Sequence, residues 1–127
     1  MEYTIQLINA SQIVSVTITG KWDSKTDKAM ALDVMAKVAE SKAGKVLVDM
    51  RELQFDLPII NLFDRAKELR EQRSRFAPVS GRVALVYKAG SKKLDESLIF
   101  FENTSRNRGL PYQVFKEIES ALEWLSK

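Results

Sequence analysis

Apolar and polar residues alternate over Tyr3–Ile8 and again over Gln12–Thr19. In the second stretch Val14, Val16 and Ile18 fall on one side, and Ser15, Thr17 and Thr19 on the other. A period of two marks a half-buried strand, because successive side chains of an extended backbone point to opposite faces. Asn9, Ala10 and Ser11 leave room only for a tight connection, so the two stretches form an antiparallel hairpin ending at Gly20. The period then lengthens. Ser24 offers an N-cap hydroxyl with Asp27 three residues on, and a helix is expected from there to about Ser41. Its apolar face is read as Ala29, Leu32, Met35, Ala36 and Ala39, and Gly44 stops it.

Lys45–Met50 is a short apolar run closed by Asp49 and Arg51, which predicts a buried strand. From Pro58 to about Arg73, Ile59, Leu62, Phe63, Ala66 and Leu69 follow helical spacing, with Pro58 suited to the first turn. Arg82–Lys88 predicts a further strand, followed by a helix that Ser91 can cap and Gly109 ends. In that helix Leu94, Leu98 and Phe101 share the inner face. Ile99 points toward a side holding Asp95, Glu102 and Arg106, with Phe100 at the boundary. Tyr112–Phe115 makes a last strand, and Ile118, Ala121, Leu122 and Leu125 give a closing amphipathic helix. The order β-β-α-β-α-β-α-β-α calls for a mostly parallel α/β sheet with an antiparallel first strand.

Length and composition sharpen this picture in three ways. A chain of 127 residues is the size of one domain, so residues 1–127 are read as a single unit with one core. It has no Cys and no His, which removes the commonest zinc ligands, the thiol nucleophile and the imidazole base. No metal or other cofactor is therefore called for, and no Walker or GxGxxG pattern offers a phosphate cradle. The formal charge of +3 is mild, and Arg65, Lys67, Arg70, Arg73 and Arg75 are interleaved with Asp64, Glu68 and Glu71. Such a helix face suits solvent better than nucleic acid. With no leader-like stretch and no long apolar run, a cytoplasmic protein without a membrane span is expected.

The element order, with "KVLVDMR" over Lys45–Arg51 and "ALEWL" over Ala121–Leu125, resembles the SpoIIAA-like branch of the STAS superfamily, and more distantly the Sec14 fold. The resemblance spans nearly the whole chain and rests on loose hydrophobic patterns. It implies a β/α superhelix with helices mainly on one face of the sheet. It also implies a non-enzymatic binding or regulatory module that acts through protein–protein contact, including self-association. Anti-anti-sigma members carry a phosphorylatable Ser or Thr just after an Asp at a helix start. The matching segment here is Asp56-Leu57-Pro58-Ile59, which has the Asp and no hydroxyl after it. A phosphate switch there has no attachment point.

Ligands of open α/β sheets gather beyond the carboxyl ends of the parallel strands. Those ends supply Trp22, Asp23, Asp49, Arg51, Lys88 and Ser91 as candidate ligand-binding residues, suited to an anionic or zwitterionic molecule. The plainer reading is that Asp23 starts a helix and Asp49 closes its own turn. A carrier of small apolar or lipid-like ligands, by analogy with Sec14, is the alternative function. An enzyme would need Asp23 and Asp49 to converge in a cleft. Ile99 and Phe100 are the candidate partner surface, being large and apolar where the fold alone does not require it.

Overall fold

The computed structural model describes residues 1–8, 13–41, 43–54, 82–88, 92–107 and 111–127. In order these form β1 (Glu2–Ile8), β2 (Ile13–Lys21), α1 (Ser24–Ser41), β3 (Lys45–Gln54), β4 (Val83–Val86), α2 (Lys92–Asn107), β5 (Tyr112–Phe115) and α3 (Ile118–Leu125). The strands make one sheet in the order β1-β2-β3-β4-β5. The first pair is antiparallel and the other three pairs are parallel, the mixed α/β sheet that the alternation of elements requires. The helix expected over 58–73 lies outside the described residues.

Each face of the sheet has its own apolar layer. On one, Val14, Val16 and Ile18 of β2 join Val46, Val48, Val83, Leu85 and Tyr112 beneath α1 and α2. Met30, Ala31, Val34 and Val38 come from α1, and Phe101 from α2, whose ring tilts against Tyr112 at 6.0 Å between centroids. On the other face Ile13, Leu47, Ala84 and Val86 meet Ala121 and Leu125 of α3. Val46-Leu47-Val48 and Val83-Ala84-Leu85-Val86 therefore feed both layers in turn, which is why they read as unbroken apolar runs.

Helix α3 is held at its end by more than apolar contact. Trp124 packs on Phe115 at 5.6 Å between ring centroids. The Arg82 guanidinium lies 5.1 Å over the Trp124 ring and donates to the Trp124 carbonyl at 2.7 Å. This helix lies over β3, β4 and β5. Glu2, Thr4 and Gln6 of β1, and Thr17 and Thr19 of β2, remain exposed on the same side of the sheet.

The rotation of α1 differs from the expected one. Ala29, Leu32, Ala36 and Ala39 face outward, with Leu32 45% exposed, and only Met35 of the expected face is buried. The helix instead presents Asp27, Met30, Ala31, Val34, Met35 and Val38 to the interior. These occupy two adjacent rows at four-residue spacing. Turning them inward buries two methionines and two valines where the expected face offers mostly alanine methyls, and buried apolar area decides the rotation.

Strand β3 is also longer than its apolar run. It continues past Met50 to Gln54 because β2 keeps pairing beside it, to Lys21↔Gln54. Thr17 pairs with Asp49 and Thr19 with Glu52, so β3 holds one extra residue there, a bulge that carries the strand round. Gly20 does not end β2 but sits inside it at φ 87°, where a Cβ would come 3.4 Å from the Met1 Cα.

Leu125 is fully buried between α3 and the sheet. Leu125→Ala should cost about 2–5 kcal/mol of unfolding free energy in urea titration, as for other large-to-small core changes. Leu32→Ala, on the outward face of α1, should change it by less than about 1 kcal/mol.

Candidate functional site

Asp23 is the N-cap of α1, one residue earlier than the Ser24 cap expected. Its carboxylate accepts the Thr26 N–H at 3.2 Å, the Lys25 N–H at 3.3 Å and the Thr26 hydroxyl. The Thr26 hydroxyl first, and then these backbone bonds, hold its carboxyl below the usual carboxylate range. Trp22, half-buried, donates its backbone N–H to the Gln54 carbonyl at 2.7 Å and so fastens the end of the β2–β3 arm.

Asp49 lies within β3. Arg51 grips it twice, from Nε at 2.9 Å and Nη2 at 2.9 Å, and the Arg51 backbone N–H adds a third bond at 3.1 Å. The Arg51 side-chain hydrogen bonds hold the Asp49 carboxyl below its ordinary value, against the opposing effect of partial burial. Arg51 is raised in return, chiefly by the same bonds, with Glu119 on α3 and Glu52 adding to them. Lys88, two residues beyond β4, is exposed, and Ser91 lies outside the described residues.

Register keeps these candidates apart. Asp49 pairs with Thr17 and Val86, whereas Trp22 meets Gln54. Five residues of β2 separate the two levels, about 16 Å along the strand. Asp49, Arg51 and Lys88 belong to the end of β4, and Trp22 and Asp23 to the tip of the longer β2–β3 arm. The two carboxylates do not converge. Each is engaged by donors from its own neighbourhood.

A second group of polar residues, absent from the expected candidates, stands at the carboxyl ends of β4 and β5. Tyr87 is only 3% exposed, and its N–H donates to the Phe115 carbonyl at 3.0 Å. Burial, then hydrogen bonding and charge from Asp95, then the charge of Glu102 push its hydroxyl up to about 12. Asp95 Oδ2 lies 4.0 Å from Lys116 Nζ, and its Oδ1 is buried without a hydrogen-bond partner among the described residues. Glu102 Oε2 accepts the Val114 N–H of β5 at 2.6 Å.

These contacts correct the expected orientation of α2, in which Asp95 and Glu102 sat on the outer side with Ile99. Both acids turn toward the sheet. Their spacing of three and four residues from Leu98, which is 2% exposed, is the sequence signal that they share its face. Ile99 is 49% exposed, Phe100 is half-buried, and the side chains of Leu94 and Arg106 lie outside the described set. Burial and Asp95 thus hold the Tyr87 phenol protonated, while hydrogen bonds hold the Asp23 and Asp49 carboxyls below their usual range. As arranged, these groups fix backbone and helix ends.

No family model matches the chain, and no curated protein matches its sequence. Solved structures do resemble it. An anti-sigma factor antagonist from Mycobacterium paratuberculosis matches with a TM-score of 0.63 at 12% identity, over 99% of this chain and 96% of that one. The anti-sigma factor antagonist SpoIIAA in its unphosphorylated form matches with a TM-score of 0.64 at 13% identity, over 98% and 96%. The Bacillus cell fate determinant SpoIIAA in its phosphorylated form matches with a TM-score of 0.55 at 14% identity, over 97% and 98%. The chain has the SpoIIAA-like α/β fold.

Unfolded tyrosine loses its proton near pH 10, and Tyr87 keeps its own to about 12. Its neutral form thus stabilises the fold fully below about pH 10, and that contribution is lost as pH rises toward 12. Urea midpoints measured across this window should fall, and fall less steeply in Tyr87→Phe. Tyr3, raised mainly by its hydrogen bond to Asp33, shifts in the same sense, so Tyr3→Phe is the matched comparison.

Proposed function

We propose that this chain is a non-enzymatic STAS-type regulatory module that works in the cytoplasm by binding another protein. The observation that carries the reading is the match, over at least 96% of both chains, to two proteins described as anti-sigma factor antagonists. The engagement of Asp23 and Asp49 in internal bonds supports it, since neither is left for a substrate. The partner contact includes Ile99 and Phe100 on α2. A large aliphatic side chain left half in water beside buried Leu98 and Phe101 gains most from a partner that covers it.

Regulation in this reading does not pass through a phosphate at the segment Asp56-Leu57-Pro58-Ile59, which offers no hydroxyl and lies outside the described residues. The intact mass of the chain purified from its native cells should show no phosphate there, with peptide mapping as the check. Phosphate mapped to Asp56 would overturn this part of the reading.

Ile99→Glu should leave the unfolding free energy within about 0.5 kcal/mol of the parent, as exposed positions do. It should also deplete the protein partner that co-purifies with the parent chain, measured by quantitative mass spectrometry. Retention of every partner at parental level would show that α2 is not the contact.

A further inference from the structure

The two edges of the sheet are treated differently. β5 is four residues long, α2 packs against it, and the Glu102 carboxylate occupies the Val114 N–H. β1 is seven residues long and pairs with β2 without a break from Glu2↔Thr19 to Ile8↔Ile13. It contains no proline, lysine or arginine, and no bulge interrupts its ladder. Those are the devices by which proteins protect an edge from further pairing. Among the described residues, no hydrogen bond reaches the β1 backbone from any element other than β2. In an antiparallel pair, alternate residues of β1 turn their N–H and C=O groups away from β2.

We propose that β1 is the pairing edge for a second copy of this chain, joining the two sheets antiparallel about a two-fold axis at Ile5. This surface lies on the opposite edge of the sheet from β5 and α2, and the inference goes beyond the partner reading given above. Two-fold symmetry makes paired strands antiparallel and demands that one strand complement itself. An axis through a residue keeps each face with its own kind, whereas an axis between residues would set the apolar face against the polar one. With the axis at Ile5, all seven residues of Glu2–Ile8 find partners.

In that register Ile5 faces Ile5 of the second copy, and Tyr3 faces Leu7. All three are half-buried and pack at the margin of the main core, so each copy completes the other's apolar layer. On the opposite face Thr4 meets Gln6, two exposed polar residues of compatible hydrogen-bonding chemistry. Glu2, the charged residue of the strand, faces Ile8 and not its own counterpart, so no like charges oppose. A contact of one strand per copy is small beside the roughly 1,600 Å² of standard stable interfaces, so the dimer is weak and reversible.

Sedimentation equilibrium from micromolar to millimolar protein should show a monomer–dimer exchange. Thr4→Lys/Gln6→Lys puts like charges opposite each other twice and should weaken dimerisation about tenfold. Thr4→Lys/Gln6→Glu puts opposite charges there and should restore or tighten it. Both positions are exposed, so the fold should survive, which circular dichroism checks. The chain has no cysteine, so Thr4→Cys mixed with Gln6→Cys should form a disulfide-linked pair faster than either alone. A strictly monomeric parent would overturn the proposal, and so would a dimer indifferent to both charge variants. Ile99→Glu should leave the dimer intact, and a dimer lost with Ile99→Glu but indifferent to the β1 changes would place self-association on α2 instead.

Discussion

Strands β3 and β4 are covered on both faces, and this double burial is the constraint from which the rest of the architecture follows. Val46, Val48, Val83 and Leu85 send their side chains to the layer under α1 and α2, while Leu47, Ala84 and Val86 supply the layer under α3. Water is excluded from both sides, so the backbone groups of these strands must be satisfied within the sheet. Parallel neighbours on each flank do this, and parallel neighbours require crossovers. Helices thereby come to lie on the faces that the apolar runs need covered.

Away from that centre, burial becomes one-sided. Beyond Ile8 and Ile13, which still reach the layer under α3, β1 and β2 alternate because only their α1 side is packed, and their other side carries Glu2, Thr4, Gln6, Thr17 and Thr19 in contact with water. The polar groups near the strand ends are mostly engaged by near neighbours: Asp23 by the first turn of α1, Asp49 by Arg51, and the Val114 N–H by Glu102. Each such bond orders a local segment and leaves fewer free groups with which to grip a small molecule. Among the described residues, these bonds fix turns and helix ends. That agrees with the reading of a binding module, while the fold by itself would admit several others.

What the chain's own pattern determined is the part whose physics is local. The period-two stretch from Val14 to Thr19 could bury only one side, so the first pair had to be a hairpin lying on a core. The closing helix announced its buried face through Ala121 and Leu125, both now without exposure, because no competing apolar stripe exists on it. The short apolar runs at Val46 and Val83, with helically spaced apolar residues between them in the sequence, pointed to the parallel pairing that β3 and β4 show. Asp23 and Asp49 were legible as structural residues for the same reason: their partners, Thr26 and Arg51, are two or three positions away.

Only the tertiary structure decided the rest, because the deciding contacts join residues far apart in the chain. Helix α1 carries two plausible apolar stripes, and the sheet selected the one with Met30, Val34 and Val38, leaving Leu32 in water. β3 runs past its apolar segment to Gln54 because β2 continues beside it, a fact held in the pairing and not in the residues of β3. Asp95 and Glu102 look like solvent-facing charges until Tyr87 and the Val114 N–H are brought beneath them from β4 and β5. Periodicity states which residues share a face, and the energy of burying one face against a particular neighbour settles which face turns inward.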